Sequence, residues 1–509
     1  MRSPNRLTFL AALLALSVAV SLSGCVASAT LGKARSTPTG EKVDTALAPF
    51  YAQVLQWTPC HEAFQCATAR APLDWANPAK KSIDLALIRS STSGTRLGSL
   101  LVNPGGPGGS GYDFVQNSLD YAVSDKLREH YDIVGFDPRG VNKSSAVKCY
   151  PAKEMDTFLF GLPTQPEDSD AYISELSASS GEFGKACAAN TGDLLGFVDT
   201  VSAARDLDLL RATLGDTKLN YLGFSYGTFL GATYAGLYPK NTGRLVLDGA
   251  VDPAISDFEV TKTQAMGFES ALRAYLTDCM SGKDCPFPGT VDDSMAGIAR
   301  LLSELDTSPL RAADGRQLGR ATMFTAIVYP LYSKDNWPYL TKLFTSVLAG
   351  KADTAFTLAD NYYSRSDKGV YSDNSTEAFV AINCLDYTTD ASIALMREQA
   401  VELARSAPVF GPAMDFGQTG CANWPYKSTR ERAPIAASGS GPIIVVGTTN
   451  DPATPYVWAQ NLAKELENGH LVTYRGEGHT AYNKSNACVN NAVDNYFISG
   501  TVPTSDPKC

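Results

Sequence analysis

A serine, an aspartate and a histidine occur in this chain in an order and in surroundings suited to nucleophilic catalysis. Ser225 sits in Gly223-Phe224-Ser225-Tyr226-Gly227, between the apolar run 219–222 and a helix-like run, 228–238. On a tight strand-to-helix turn a serine holds its Oγ clear of the backbone, and the flanking glycines remove the Cβ clashes that such a turn meets. The helix N-terminus behind it favours negative charge, and the N–H of Tyr226 can donate to an oxyanion. Such a pentapeptide also arises by chance in chains of this length, so its meaning comes from context. A serine hydroxyl is a weak nucleophile until a histidine takes its proton and a carboxylate orients that histidine. Asp451, in Thr449-Asn450-Asp451-Pro452-Ala453-Thr454-Pro455, follows the strand signal 442–447, and His479, in Gly476-Glu477-Gly478-His479-Thr480, follows the last strand signal, 470–475.

Each residue has a plainer role to weigh. Asp451 could simply cap a helix beginning near Ala453 or Pro455. Of the four histidines, His61 lies between Cys60 and Cys66, His130 precedes a strand at the wrong end and His470 opens one. His479 alone sits at the carboxyl end of a strand. The chain order Ser, Asp, His, with each residue after a predicted strand, is the order of the α/β-hydrolase triad. A second feature agrees with it. Asn103-Pro104-Gly105-Gly106-Pro107-Gly108-Gly109-Ser110-Gly111 follows the strand signal 99–103, where bare amides can approach a substrate oxygen. Gly105 and Gly106 are the candidate oxyanion donors of this loop, with Tyr226 supplying the other. A phosphate loop is the rival reading, and it fails: no Gly-Lys-Ser/Thr closes the run, and Pro104 and Pro107 each remove a donor. Asp137-Pro138-Arg139-Gly140 reads as structural, with Arg139 expected to brace the oxyanion loop and neighbouring turns.

The elements that must position these groups alternate between strand and helix. Strands are predicted over 83–89, 99–103, 131–137, 218–223 and 244–249, with helices over 200–214 and 228–238. The alternation predicts a parallel sheet with helices on both faces. After Asp252-Pro253 the chain turns helix-rich and aromatic, and strand signals return only at 442–447. The expected fold is therefore α/β, with an inserted, mainly helical cap. The expected organisation is a signal over 1–24, a flexible tether over 25–45, a first part of the core over 46–254, the cap over 255–434 and the end of the core over 435–509.

Arg2 and Arg6 precede an apolar run, 7–22, and no acidic residue occurs before Glu41, which is the pattern of an export signal. The run is too short and too poorly flanked for a convincing membrane span. Leu22-Ser23-Gly24-Cys25 resembles the lipobox of bacterial lipoproteins, making Cys25 the expected lipid anchor. Cleavage after Ala27-Ser28-Ala29 is the alternative and would release a soluble protein. Eleven cysteines leave an even number once Cys25 is assigned, which suits an oxidising compartment. They fall in neighbouring couples whose short loops would close readily: Cys60 with Cys66, Cys149 with Cys187, Cys279 with Cys285, Cys384 with Cys421, and Cys488 with Cys509. Neither Cys-x-x-Cys nor His-Glu-x-x-His occurs, so no metal and no organic cofactor are expected. Hydrophobic residues make up 44% of the chain and charged ones 19%, enough for a large core. Arg2 and Arg6 leave with the signal, so the formal net charge of −10 becomes −12. With no basic cluster to neutralise phosphates, nucleic acid is an unsuitable partner.

Taken together, these residues resemble the secreted and lipoprotein tripeptidyl aminopeptidases of the α/β-hydrolase fold, relatives of proline iminopeptidases. The resemblance covers most of the mature chain and is carried by Asn103 to Gly111, Gly135 to Gly140, Gly223 to Gly227, Asn383-Cys384-Leu385-Asp386, and the terminal region with Asp451, Gly478, His479 and Cys488. It implies Ser225 as nucleophile, Asp451 as orienting acid and His479 as general base. It also implies an anionic subsite for the free amino group of a peptide substrate. Asp386 is the candidate, next to a cysteine expected to be bridged, with a structural salt bridge as its alternative. The cap aromatics Tyr329, Tyr332, Trp337, Tyr339, Tyr362, Tyr363, Trp424 and Tyr426 would mostly pack the cap, and some could line a pocket. An exported serine exopeptidase releasing tripeptides from free N-termini is the leading expectation. An esterase or lipase on the same fold, and a catalytically dead peptide-binding lipoprotein, are the alternatives.

Overall fold

The computed structural model describes residues 32–167, 169–428 and 430–509. The signal, the lipobox and Cys25 lie outside the described residues. Among the described residues twelve strands follow one another: β1 (Ala34–Arg35), β2 (Gln56–Cys60), β3 (Phe64–Pro72), β4 (Ser82–Ser90), β5 (Gly98–Asn103), β6 (Tyr131–Phe136), β7 (Leu219–Phe224), β8 (Thr242–Asp248), β9 (Leu310–Arg311), β10 (Gln317–Leu318), β11 (Ile443–Asn450) and β12 (Gly469–Glu477). Ten of them form one sheet in the order β1-β2-β3-β4-β6-β5-β7-β8-β11-β12.

The sheet is parallel from β6 to β12 only. Strands β1 to β4 pair antiparallel with one another, and β4 pairs antiparallel with β6. The parallel sheet expected from the alternation is thus present, and antiparallel strands extend it on one side. The hairpin of β2 and β3 escapes a sequence reading because its turn carries no glycine: His61 and Glu62 both take positive φ, at 46° and 58°. The short loop is closed by the Cys60–Cys66 bond.

In the parallel part, successive apolar residues enter opposite layers, as the two-residue period of a strand requires. Leu101, Val134, Leu247 and Val445 pack with Leu207, Leu230 and Leu462 on one face. Val102, Ile133, Val246 and Ile444 pack with Val115, Val489 and Phe497 on the other. Each strand is apolar on both sides, which is why the sequence shows runs rather than alternation. From β5 the chain moves to β6 on one side, then returns past β5 to β7 on the other. The crevice outside the carboxyl ends of β5 and β7 is thus the topological switch point, where open α/β sheets place their ligands.

Between β8 and β11 the chain builds a helical layer with its own apolar cluster. The cluster includes Phe268 and Leu272 from helix Asp257–Ser281, Ile298 and Leu302 from Val291–Thr307, Met323 and Ile327 from Arg320–Leu331, and Phe344 from Trp337–Leu348. Helices Ala152–Phe160 and Asp170–Thr191, which precede it in sequence, also join this layer. Phe160 enters its core, Asp156 pairs with Arg365 at 2.7 Å, and helix Asp170–Thr191 packs on the turn 419–422.

Residues 32–45 do not hang free as a tether. Ala34 pairs with Trp57, the Thr39 N–H donates to the Ala212 carbonyl at 2.9 Å, and Glu41 pairs with the buried Arg211 at 2.7 Å. Composition rich in Ser, Thr and Gly did not reveal these partners, which lie far along the chain. The five expected cysteine couples are all bonded, from Cys60–Cys66 to Cys488–Cys509.

Candidate active site

Ser225 follows β7 directly and precedes helix Tyr226–Leu237. Its φ of 56° and ψ of −128° are a strained backbone for a residue with a Cβ, as expected of an exposed nucleophile. Gly223 cannot carry a side chain, because a Cβ there would stand 2.4 Å from the Gly227 carbonyl oxygen. The Ser225 N–H donates to the carbonyl of Asp248, the last residue of β8, at 2.9 Å.

Asp248 and Gly249 are the point where the serine and histidine segments come together. The Asp248 carboxylate accepts the N–H groups of Ala481 at 3.0 Å and Tyr482 at 2.8 Å, fixing the segment after His479. Gly249 lies against the histidine: a Cβ on it would sit 3.1 Å from the imidazole Cε1. One turn after β8 therefore pins both the serine and the histidine segments. Burial raises the Asp248 carboxyl above the ordinary aspartate range. Sequence reading missed this residue, although an aspartate ending the apolar run Leu245-Val246-Leu247 was a usable signal.

His479 Nδ1 lies 2.9 Å and 3.0 Å from the two oxygens of Asp451. A carboxylate can only accept, so Nδ1 carries the proton shared with Asp451, and the neutral imidazole keeps its lone pair on Nε2. The helix-capping role weighed for Asp451 is not the one observed, since the next helix opens at Tyr456 after Pro455. Its Oδ1 does fix the turn that follows it, accepting the N–H groups of Ala453 and Thr454, both at 2.9 Å. Oδ2 accepts the Thr454 hydroxyl at 3.1 Å and the Thr480 N–H at 3.2 Å. The two roles are one. A buried carboxylate held by four protein donors cannot swing, so it holds the imidazole in one orientation.

The cap closes on the histidine from above. The His479 N–H donates to the Tyr332 carbonyl at 2.8 Å, and the Tyr332 ring stands edge-on to the imidazole with centroids 5.3 Å apart. Tyr332 is thus the cap aromatic that touches the site. Trp337 and Trp424, by contrast, are buried core residues.

The glycine loop after β5 lies against the serine. At Gly105, with φ of 98°, a Cβ would fall 2.8 Å from the Ser225 Cβ and 3.1 Å from the Tyr226 nitrogen. Its own N–H, however, donates to Asn103 Oδ1 at 3.0 Å. This corrects the expectation for Gly105: it serves by being bare beside the Tyr226 amide, and its donor is already engaged. Gly106 remains the candidate donor of the loop. The Tyr226 N–H opens a helix, where no preceding turn supplies an acceptor.

Arg139 does not brace this loop. It is buried, paired with Asp206 through two bonds of 2.7 Å, and donates to the carbonyls of Pro72, Leu73 and Phe197. Its partner in the motif does the bracing: Asp137 accepts from Ser110 Oγ at 2.5 Å and the Tyr112 N–H at 3.1 Å. Burial pushes the Asp137 carboxyl up to about 6.

Asp386 ends the cap helix Ser375–Asp386, with Cys384 bonded to Cys421. No salt bridge holds it among the described residues. Both of its oxygens are engaged by Thr200, Oδ1 by the N–H at 2.9 Å and Oδ2 by the hydroxyl at 2.5 Å. Burial is the main cause that lifts its carboxyl to about 6, opposed by these bonds. An incoming ammonium would have to share a carboxylate that already ties cap to core, so the geometry argues against the expected amine anchor. Among the described residues the grouping able to ligate a metal is Cys60, His61 and Cys66, and its cysteines are consumed by their disulfide.

Residues 98–293 match the family described as alpha/beta hydrolase fold, and residues 407–509 the one described as TAP-like protein. Over 488 residues the chain is 35% identical to the serine protease Hip1 of Mycobacterium tuberculosis H37Rv, covering 91% of this chain and 92% of that one. The chain belongs to the TAP-like α/β-hydrolase family. It is likewise 36% identical over 484 residues to carboxylesterase B of the same organism, with 91% of each chain covered. The tripeptidyl aminopeptidase of Streptomyces lividans is 29% identical over 468 residues, covering 89% and 86% of the two chains. As a TAP-like α/β-hydrolase the protein is a serine hydrolase.

Proposed function

We propose that this TAP-like hydrolase is an exported serine exopeptidase that releases tripeptides from free N-termini through an acyl-enzyme on Ser225. The observation that carries the reading is the convergence of strained Ser225 and the Asp451–His479 pair on the Asp248–Gly249 turn. In the mechanism His479 Nε2 takes the proton as Ser225 Oγ attacks the scissile carbonyl. Asp451 stabilises the imidazolium, and the Tyr226 and Gly106 amides receive the oxyanion. The proton then passes to the leaving amine, and water repeats the sequence to free the acid. This chemistry calls for no metal or cofactor.

The relatives named serine protease and tripeptidyl aminopeptidase support a peptide substrate. Five disulfides among the described residues support export, as does the apolar N-terminal run. No described helix is long and apolar enough to cross a membrane. Membrane contact is assigned to a lipid on Cys25. An esterase is the second reading, favoured by the relative named carboxylesterase B.

Mass analysis of products from free and N-acetylated peptides tests the proposal. Stepwise release of tripeptides from the free-amine members alone is the expected result. Hydrolysis of simple esters with every peptide left intact would transfer the assignment to the esterase. Binding of peptides without turnover of either class would make the protein a peptide-binding lipoprotein.

A further inference from the structure

A buried chain of hydrogen bonds runs from the cap to the residue that follows the nucleophile. Asp386 Oδ2 accepts the Thr200 hydroxyl proton at 2.5 Å, and Oδ1 accepts the Thr200 N–H at 2.9 Å. The Thr200 oxygen is also in hydrogen-bond contact with the Tyr226 hydroxyl. Since the threonine proton points to the carboxylate, the tyrosine must be the donor to threonine. Thr200 is fully buried and Tyr226 nearly so. The bonds are therefore shielded from water, and two of the three are made to an ionisable carboxylate, the stronger kind.

The positions of the three residues give the chain its meaning. Thr200 opens helix Thr200–Leu214, whose first N–H groups have no partners within the helix. Asp199 caps that helix at Ser202, and the carboxylate at Thr200 comes from the cap. Tyr226 opens the helix behind Ser225, and its backbone N–H is the candidate oxyanion donor. Its ring is clasped at the hydroxyl by Thr200, while Gly105 crowds its backbone nitrogen. At its other end, helix Ser375–Asp386 rests on the glycine loop: a Cβ on Gly108 would meet the Ser375 carbonyl at 2.7 Å and Ala378 Cβ at 3.1 Å. One cap helix thus bears on both sides of the oxyanion site.

We propose that Asp386 is a positioning residue, which acts through Thr200 and the Tyr226 hydroxyl to hold the Tyr226 amide in its oxyanion-binding place when the cap is seated. This rests on Ser225 being the nucleophile. A misplaced oxyanion donor weakens transition-state binding and leaves ground-state binding alone, so the loss falls on kcat. An amine anchor would show the reverse, a KM effect confined to substrates with a free amine.

The test compares Asp386→Asn, Tyr226→Phe and the double variant on a free-amine peptide and on an N-acylated ester. Rates are expressed per active serine, counted by fluorophosphonate labelling. The expected result is a kcat loss of about tenfold, below the roughly hundred- to thousandfold cost of removing an oxyanion donor outright, equal for both substrates and with KM unchanged. The double variant should lose little more than either single one, because the two residues lie on one chain. Asp386→Glu, which keeps the charge, should recover part of the rate.

A KM rise limited to the free-amine peptide would overturn the inference in favour of an amine anchor. A lower melting temperature with undiminished kcat per labelled serine would overturn it in favour of a purely structural bond. Failure of the native protein to label at Ser225 would instead remove the functional reading on which the inference stands.

Discussion

The sheet and the cap both reach the reaction centre, and they do so by different means. The sheet spends buried carboxylates on fixing backbone: Asp248 on Ala481 and Tyr482, Asp451 on Ala453 and Thr454, Asp137 on Tyr112 and Lys143. The cap has its own apolar core and reaches the site through Tyr332 and Asp386, while Asn374 ties it to the core by donating to the carbonyls of Gly140 and Val147. The lesson is a separation of tasks. Groups that make and break bonds stand on loops locked by the sheet, and the cap bears on those loops from outside through a few carboxylate and backbone contacts.

Substitutions can break that separation or sharpen it. Ser225→Ala should lower kcat by at least about ten-thousand-fold, as in other serine hydrolases stripped of their nucleophile, with an unchanged melting temperature. Retained activity would remove the sheet-borne serine from the mechanism altogether. Asp206→Ala leaves the guanidinium of Arg139 buried without its charge partner, at a cost of about 3 to 5 kcal/mol in denaturant unfolding. A loss of that size in the sheet should lower the yield of folded protein and leave kcat per active serine alone.

In the cap, replacing Cys384 and Cys421 together with serine releases a loop of sequence separation 37 and should cost about 3 to 4 kcal/mol. The loss should appear first as increased proteolysis within residues 375–428. Loss of Ser225 labelling in that variant would show that sheet and cap unfold as one unit. Tyr332→Ala removes the ring beside His479 and should change kcat/KM for peptides by less than about tenfold, the worth of one aromatic contact. A loss approaching that of Ser225→Ala would mean that the cap belongs to the bond-breaking machinery.

The smallest effect is a pH slope. Burial, with Asp373 nearby, pushes the Glu377 carboxyl from 4.5 up to about 7. The folded state therefore binds this proton more tightly than the unfolded chain. The associated stability is complete below pH 4.5 and is lost as pH rises to about 7. Glu377→Gln should flatten the difference in stability across that window, measured by thermal unfolding. An unchanged slope would place Glu377 in water.

Much of this arrangement was legible beforehand. Tyr131–Phe136, Leu219–Phe224 and Ile443–Asn450 are strands buried on both faces, and a continuous apolar run bounded by turn residues announces such a strand. The antiparallel strands β1 to β3 were not legible. Their residues face water on one side, their turn lacks glycine, and Ala34 finds its partner only at Trp57. Asp386 was visible as a notable acid beside a cysteine, but not its direction, because Thr200 lies 186 residues away. Gly105 was visible as a bare position, but not the engagement of its N–H by Asn103.

The sequence by itself determined the fold class, an even set of cysteines falling in neighbouring couples, and the three residues expected to react. Each of these depends on short-range signals: apolar runs, neighbouring cysteines, and turn glycines around Ser225. Only the tertiary structure decided that Asp248 joins the serine and histidine segments, that Asp451 both fixes its own turn and orients the histidine, and that Asp386 faces Thr200. Those outcomes depend on where buried polar groups find partners. In a closed core a carboxylate takes whichever donors the packing brings to it, however far apart they lie along the chain.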